Sequence, residues 1–167
     1  MSDRFNVTAS GDIPDQRVDF CSTVSPSADD SSFQITIYGG WNLFEGNAFE
    51  DVYVLAIPSF RWIKINDTAT NLEAKLPGKV GRKSMECQIY KDRQMLVLGG
   101  AVYIGNTQVS GETCNTSYSV IRVLDTTTFT WLDQFSSMPE TYAVPQVVYN
   151  VIGGRLVYQP ASTQSLI

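Results

Sequence analysis

Three cysteines, three Asn-X-Ser/Thr sites and not one histidine bound the chemistry open to this 167-residue chain. Ser-His-Asp and Cys-His nucleophiles need an imidazole to take the proton. Imidazole is also the commonest ligand for zinc, copper and iron. Cys21, Cys87 and Cys114 show no CxxC spacing, which argues against a thiolate zinc site. Glu50 and Asp51 are adjacent acids. Neighbours on a strand point to opposite faces, so they make a poor acid–base pair. No catalytic residue, no metal ligand and no cofactor is expected. What remains is modification: Asn6-Val-Thr8, Asn66-Asp-Thr68 and Asn115-Thr-Ser117 are glycosylation sequons, each in a predicted loop or at a strand end.

The length fits one domain with enough chain for a sizeable core. Hydrophobic residues make up 43%, so disorder by composition is excluded. The net charge is −5 and the isoelectric point about 4.6. Nucleic-acid binding leaves a basic footprint that this composition lacks. No stretch approaches the ~20 apolar residues of a membrane span. Met1 to Ser10 is polar without an apolar h-region, so no signal peptide is expected in this chain.

The elements that must position these residues are strands, and they recur. Phe33 to Tyr38 alternates apolar and polar residues and ends on Gly39-Gly40. Trp41 to Glu50 reads as a loop. Asp51 to Ala56 is a strand bearing Tyr53, Ile57-Pro58-Ser59 a turn, and Arg61 to Asn66 an outer-edge strand opening with Trp62. The series then repeats. Arg17 to Val24 corresponds to Ser84 to Tyr90, and Gln94 to Leu98 leads into Gly99-Gly100. Ser119 to Asp125 and Thr130 to Phe135, with Trp131, complete the second set. The diglycines lie 60 residues apart (39 and 99), whereas Trp62 and Trp131 lie 69 apart. Nine residues are therefore inserted in the loop Ala101 to Tyr118. Asp67 to Arg82 reads as a connection, mostly loop, with room for a helical turn at Leu72 to Lys75. Gln146 to Ile152 reads as a further inner strand, Gly153-Gly154 as its hairpin turn, and Leu156 to Tyr158 as the start of the next strand.

This order resembles the kelch repeat, the four-stranded blade of a β-propeller, over residues 17 to 158. The diglycines Gly39, Gly40, Gly99 and Gly100, with Tyr53, Trp62 and Trp131, carry the resemblance. The expected fold is all-β: a partial kelch propeller of about two complete four-stranded antiparallel blades plus the start of a third. Residues 1–16 would be a leading loop or the end of a preceding blade, 17–66 blade one, 67–83 a connecting loop and 84–137 blade two. Residues 138–160 would start blade three, and 161–167 form an off-pattern tail. A propeller closes with roughly four to eight blades, so further blades are expected in a longer parent. Asp19-Phe20 and Ser84-Met85 stand where kelch repeats often have Gly-His, and Arg122 stands where blade one has Tyr53.

The nearest likeness is to galactose-oxidase-like propellers common among fungal surface proteins. It implies a non-catalytic binding module, extracellular or at the cell surface, with a protein or glycan as partner; the alternatives are a cytoplasmic protein and a domain related to the oxidases. Galactose oxidase holds copper with histidines and tyrosines, a site that cannot be carried over here. On the blade alignment a Cys87–Cys114 disulfide would tie the inserted loop to its own blade, leaving Cys21 unpaired or joined elsewhere; three reduced, buried thiols are the alternative. Trp41 and Tyr103, in the loops after the diglycines, are the candidate binding aromatics.

Overall fold

Alternating apolar residues and glycine-marked turns fold into a five-stranded and a four-stranded sheet, with two smaller sheets beside them, in the computed structural model, which describes residues 7–66, 80–109 and 120–153. Blade one is ordered β7-β6-β3-β2 from its outer strand inward. Its strands are β2 (Cys21–Pro26), β3 (Phe33–Tyr38), β6 (Val52–Ile57) and β7 (Arg61–Ile65). Blade two is ordered β14-β13-β10-β9. It comprises β9 (Glu86–Tyr90), β10 (Gln94–Leu98), β13 (Ile121–Asp125) and β14 (Thr130–Leu132). Every pairing within the two sets is antiparallel. Phe60 and Phe129, 69 residues apart, both adopt left-handed backbone before their outer strands, with φ of 51° and 52°. The repetition thus extends to individual turn residues.

The core lies between the blades. Tyr38, Val52, Val54, Ala56, Ile63 and Ile65 from blade one meet Met95, Val97, Leu124 and Trp131 from blade two, all buried. Period-2 alternation puts each set on one face of its sheet. Tyr38 packs edge-on against Trp131 at 5.0 Å between ring centroids. Burying a side chain of this size contributes roughly 1.5–3 kcal/mol relative to leaving it in water.

Several expectations need correction. The outer edge of blade one is not β7: β1 (Ser10–Gly11) lies beside it as a parallel fifth strand, with the Asp12 carboxylate accepting the Lys64 amide at 3.1 Å. An exposed strand edge is a hazard that such a cover removes. The loops after both diglycines are hairpins. β4 (Trp41–Asn42) pairs with β5 (Asn47–Ala48), while β11 (Ala101–Ile104) pairs with β12 (Thr107–Gln108) and with β8 (Val80–Lys83). Residues 80–83 are therefore strand where a connecting loop was expected. The helical turn expected at Leu72 to Lys75, the strand at Leu156 to Tyr158 and the tail from 161 lie outside the described residues.

The largest departure is at Gln146 to Ile152, expected as an inner strand and found as helix α1 (Gln146–Ile152). Val148 is fully buried, and Tyr149 and Ile152 pack against the core beside it. These positions form one helical stripe at i, i+1 and i+4. The helix lies against β6 and β7, where the wedge between sheets needs more side-chain volume than one strand supplies. Tyr142 fixes the approach by donating its hydroxyl to Gln34 Oε1 at 2.9 Å, and burial pushes its pKa up. Arg93 ties the same segment to blade two through Asp125 (2.8 Å), Glu140 (3.0 Å) and the Thr141 carbonyl (3.2 Å).

The disulfide also differs. Cys87 is bonded to Cys21, not to Cys114, which lies outside the described residues. The inner strands β2 and β9 run side by side, bringing the two Cα atoms to 5.5 Å although 66 residues separate them. Stacking of blades makes these cysteines neighbours, and chain distance gives no hint of it. The bridge staples the two blades at their inner strands.

Candidate binding face

At the diglycine end the chain builds a second layer over the blades. Each diglycine is gripped by an arginine that lies before the inner strand. Arg17 Nη1 donates to the Gly39 carbonyl at 3.0 Å, and Arg82 Nη1 donates to the Gly99 carbonyl at 2.7 Å. Arg17 also pairs with both oxygens of Asp51 and lies 3.9 Å from the centre of the Phe49 ring. Its side chain is 3% exposed. A bidentate, stacked guanidinium in that setting fixes geometry rather than attracting a ligand.

The glycines are required where backbones cross. At Gly39, with φ of 64°, a Cβ would run into the Arg82 carbonyl and the Met85 side chain. At Gly100, with φ of 88°, it would sit 2.8 Å from the Lys83 carbonyl. Both positions demand left-handed backbone and close approach. Gly40 donates its amide to the Arg82 carbonyl at 2.9 Å, and Gly99 to Val120 at 2.7 Å. Tyr53 is buried on blade one and Trp131 between the blades, while Trp62 is half-buried.

Trp41 and Tyr103 come together although 62 residues apart (41 and 103). Their ring centroids are 4.9 Å apart, tilted by 53°. The Lys83 ammonium lies over both, 4.1 Å from the Trp41 ring and 5.3 Å from Tyr103. Tyr103 is 8% exposed and donates to Gln108 Oε1 at 3.0 Å. Its partner Trp41 is half-buried. The pair welds the β4–β5 hairpin to the β8-β11-β12 sheet and does not itself present a free aromatic platform.

What that hairpin presents is its tip. Asn42 is buried, and its Oδ1 accepts the amides of Phe44 (2.9 Å) and Glu45 (3.1 Å). Gly46, with φ of 68°, returns its amide to the Asn42 carbonyl at 2.9 Å. This Asn-capped turn is ordered by its own hydrogen bonds. It leaves Leu43 67% and Phe44 82% exposed. Neither was singled out by sequence reasoning. The available signal was a pair of large apolar residues between Asn42 and Gly46, a composition that a buried strand would not need and a solvated loop would not choose.

Of the modification sites, Asn66 is exposed at the end of β7, while Asn6 and Asn115 lie outside the described residues. Among the described residues no helix is long and apolar enough to cross a membrane.

No family model matches the chain. A kelch repeat-containing protein from Arthroderma benhamiae is 29% identical over an alignment of 174 residues, covering 90% of this chain and 24% of the relative. The chain thus spans about a quarter of the length of the curated relative it matches. The likeness to this kelch repeat-containing protein runs across both sets of strands, the diglycine turns and the outer-strand tryptophans included.

Proposed function

We propose that the chain is a non-catalytic interaction module whose binding element is the β4–β5 hairpin, engaging a protein partner through Leu43 and Phe44. The carrying observation is their 67% and 82% exposure on a turn that Asn42 holds in place. Exposed apolar side chains on a preorganised turn lose little conformational freedom on binding. Aromatic anchors of this kind contribute disproportionately to interfaces. Glu45 beside them adds a negative rim, which favours a partner with basic residues around an apolar pocket. The kelch likeness supports the same class of role.

The protein acts in an oxidising, extracellular setting on this reading. A disulfide between blades and a sequon at exposed Asn66 both support it. The direct test places a photo-crosslinking amino acid at position 44 and irradiates in the native source. A protein adduct is expected, and the captured partner should then bind Phe44→Asp at least about tenfold more weakly. A partner that binds Phe44→Asp as well as the parent would refute the assignment, and a glycan as the sole adduct would redirect it.

A further inference from the structure

Helix α1 holds together by little that is its own. Its seven residues include three valines and an isoleucine, whose branched side chains suit a helix less well than leucine or alanine. Pro145 before it offers no capping side chain, no acid stands in its first turn and no base in its last. An isolated helix of this length does not persist in water. Its polar bonds stay within the segment: Gln146 Nε2 donates to Asn150 Oδ1 at 2.8 Å, and the Gly153 amide to the Tyr149 carbonyl at 3.0 Å. Among the described residues no hydrogen bond joins α1 to a sheet.

The stretch before it is the opposite. Arg93 holds Glu140 and the Thr141 carbonyl, Tyr142 donates its hydroxyl to Gln34 Oε1, and the Ala143 amide donates to Thr127 Oγ1 at 3.1 Å. The tether is thus bonded to both blades, while the helix at its end is seated by apolar contact alone, through Val147, Val148, Tyr149 and Ile152. The seat does not depend on the helix. β6 is paired to β3 on one side and to β7 on the other, and β7 to β1. Without α1 those strands keep their ladder and leave Val54, Ala56 and Ile63, each at most 2% exposed with α1 in place, lining an apolar groove.

We infer that α1 is a detachable plug on a fixed tether, and that its seat on β6 and β7 takes a short amphipathic helix from a partner protein, with apolar residues at i, i+1 and i+4. The plug itself shows what the groove accepts: about two turns of helix with one apolar stripe. A capped partner helix built on leucine and alanine holds its shape better than α1 does, and lays its stripe into the groove. The tether keeps α1 at high local concentration, so a partner meets an occupied seat and binds in proportion to the open fraction. This groove lies on other elements than the Leu43–Phe44 tip and is tested separately.

The probe is a synthetic peptide copying Tyr142 to Gly153. In the isotope-labelled 167-residue chain, native-state hydrogen exchange should be at least about tenfold faster at the Tyr149 and Gly153 amides than at the paired amides of β6. Unlabelled peptide in excess should raise exchange at those two amides at least about threefold by holding the seat open, and leave β6 unmoved. Equal protection of α1 and β6 would overturn the plug, and exchange untouched by peptide would overturn the seat. Val148→Asp drives α1 out, because docking it would bury an unpaired charge. That variant, with its Cys21–Cys87 bridge intact by peptide map, should bind fluorescein-labelled peptide at least about tenfold more tightly than the parent by anisotropy. Equal binding by parent and variant would overturn the inference, as would equal binding of a peptide carrying the same Val148→Asp change. A parent that dimerises by exchanging α1, and loses the dimer with Val148→Asp, would make a second copy the occupant and overturn the partner. Should the variant lose its bridge, the exchange experiment on the parent decides alone.

Discussion

Replacing Cys21 by alanine should destabilise the protein far more than replacing Cys114. The bridge to Cys87 closes a segment of 66 residues between inner strands of adjacent blades. Loop-closure entropy for a segment of that length corresponds to about 4 kcal/mol at 25 °C. For a chain of this size each kcal/mol moves the melting midpoint by roughly 2–4 °C, so the drop should be about 8–16 °C. The assay is thermal and urea unfolding of the parent, Cys21→Ala and Cys114→Ala, each with and without reductant, alongside a non-reducing peptide map. Reductant should lower the midpoints of the parent and of Cys114→Ala, and barely move that of Cys21→Ala. A map joining Cys87 to Cys114 would refute the reasoning, as would a Cys21→Ala midpoint equal to the parent's. Either result would mean that the inner strands do not meet as described.

The two outer-strand tryptophans offer a second test: Trp131→Ala should cost about 3–5 kcal/mol, and Trp62→Ala, where the side chain is only half-buried, clearly less by the same urea assay. Val148→Ala should cost about 2 kcal/mol, because two buried methyl groups leave a cavity. Val151→Ala, 36% exposed on α1, should stay within about 0.5 kcal/mol; equal costs would contradict the packing of α1. Hydrogen bonds from Ser31 and then Ser27 hold the Asp29 carboxyl down at about 2, below the ordinary aspartate value of 3.8. Its folded pKa is depressed, so the contribution of the 27–32 turn is present at neutral pH and lost as pH falls through about 2. Carboxyl chemical shifts should report that titration, and Ser31→Ala should raise it.

The strands Phe33–Tyr38 and Gln94–Leu98 were legible to the residue, because period-2 alternation and the glycines that end it act over a few positions. Helix α1 was not. Gln146 to Ile152 is short and rich in valine, so its seven residues fit a strand alternation as well as a helical stripe. Cover for the face of β6 and β7 that carries Val54 and Ile63 decided between them. Trp41 and Tyr103 were found as a candidate pair, yet their packing role emerged only when Lys83 and the β8-β11-β12 sheet were seen around them. Leu43 and Phe44 stayed inside a loop assignment because exposure is not a property of residue type.

By itself the sequence determined the all-β class, the two-fold repetition with its nine-residue insertion, and the absence of imidazole chemistry. Those follow from residue identity and from patterns that repeat at fixed spacing. The tertiary structure alone decided which cysteines bond, that β1 covers the edge of blade one, and that α1 packs on β6 and β7. Each of these depends on how one sheet stacks against another, and that stacking brings together residues tens of positions apart that share no local pattern.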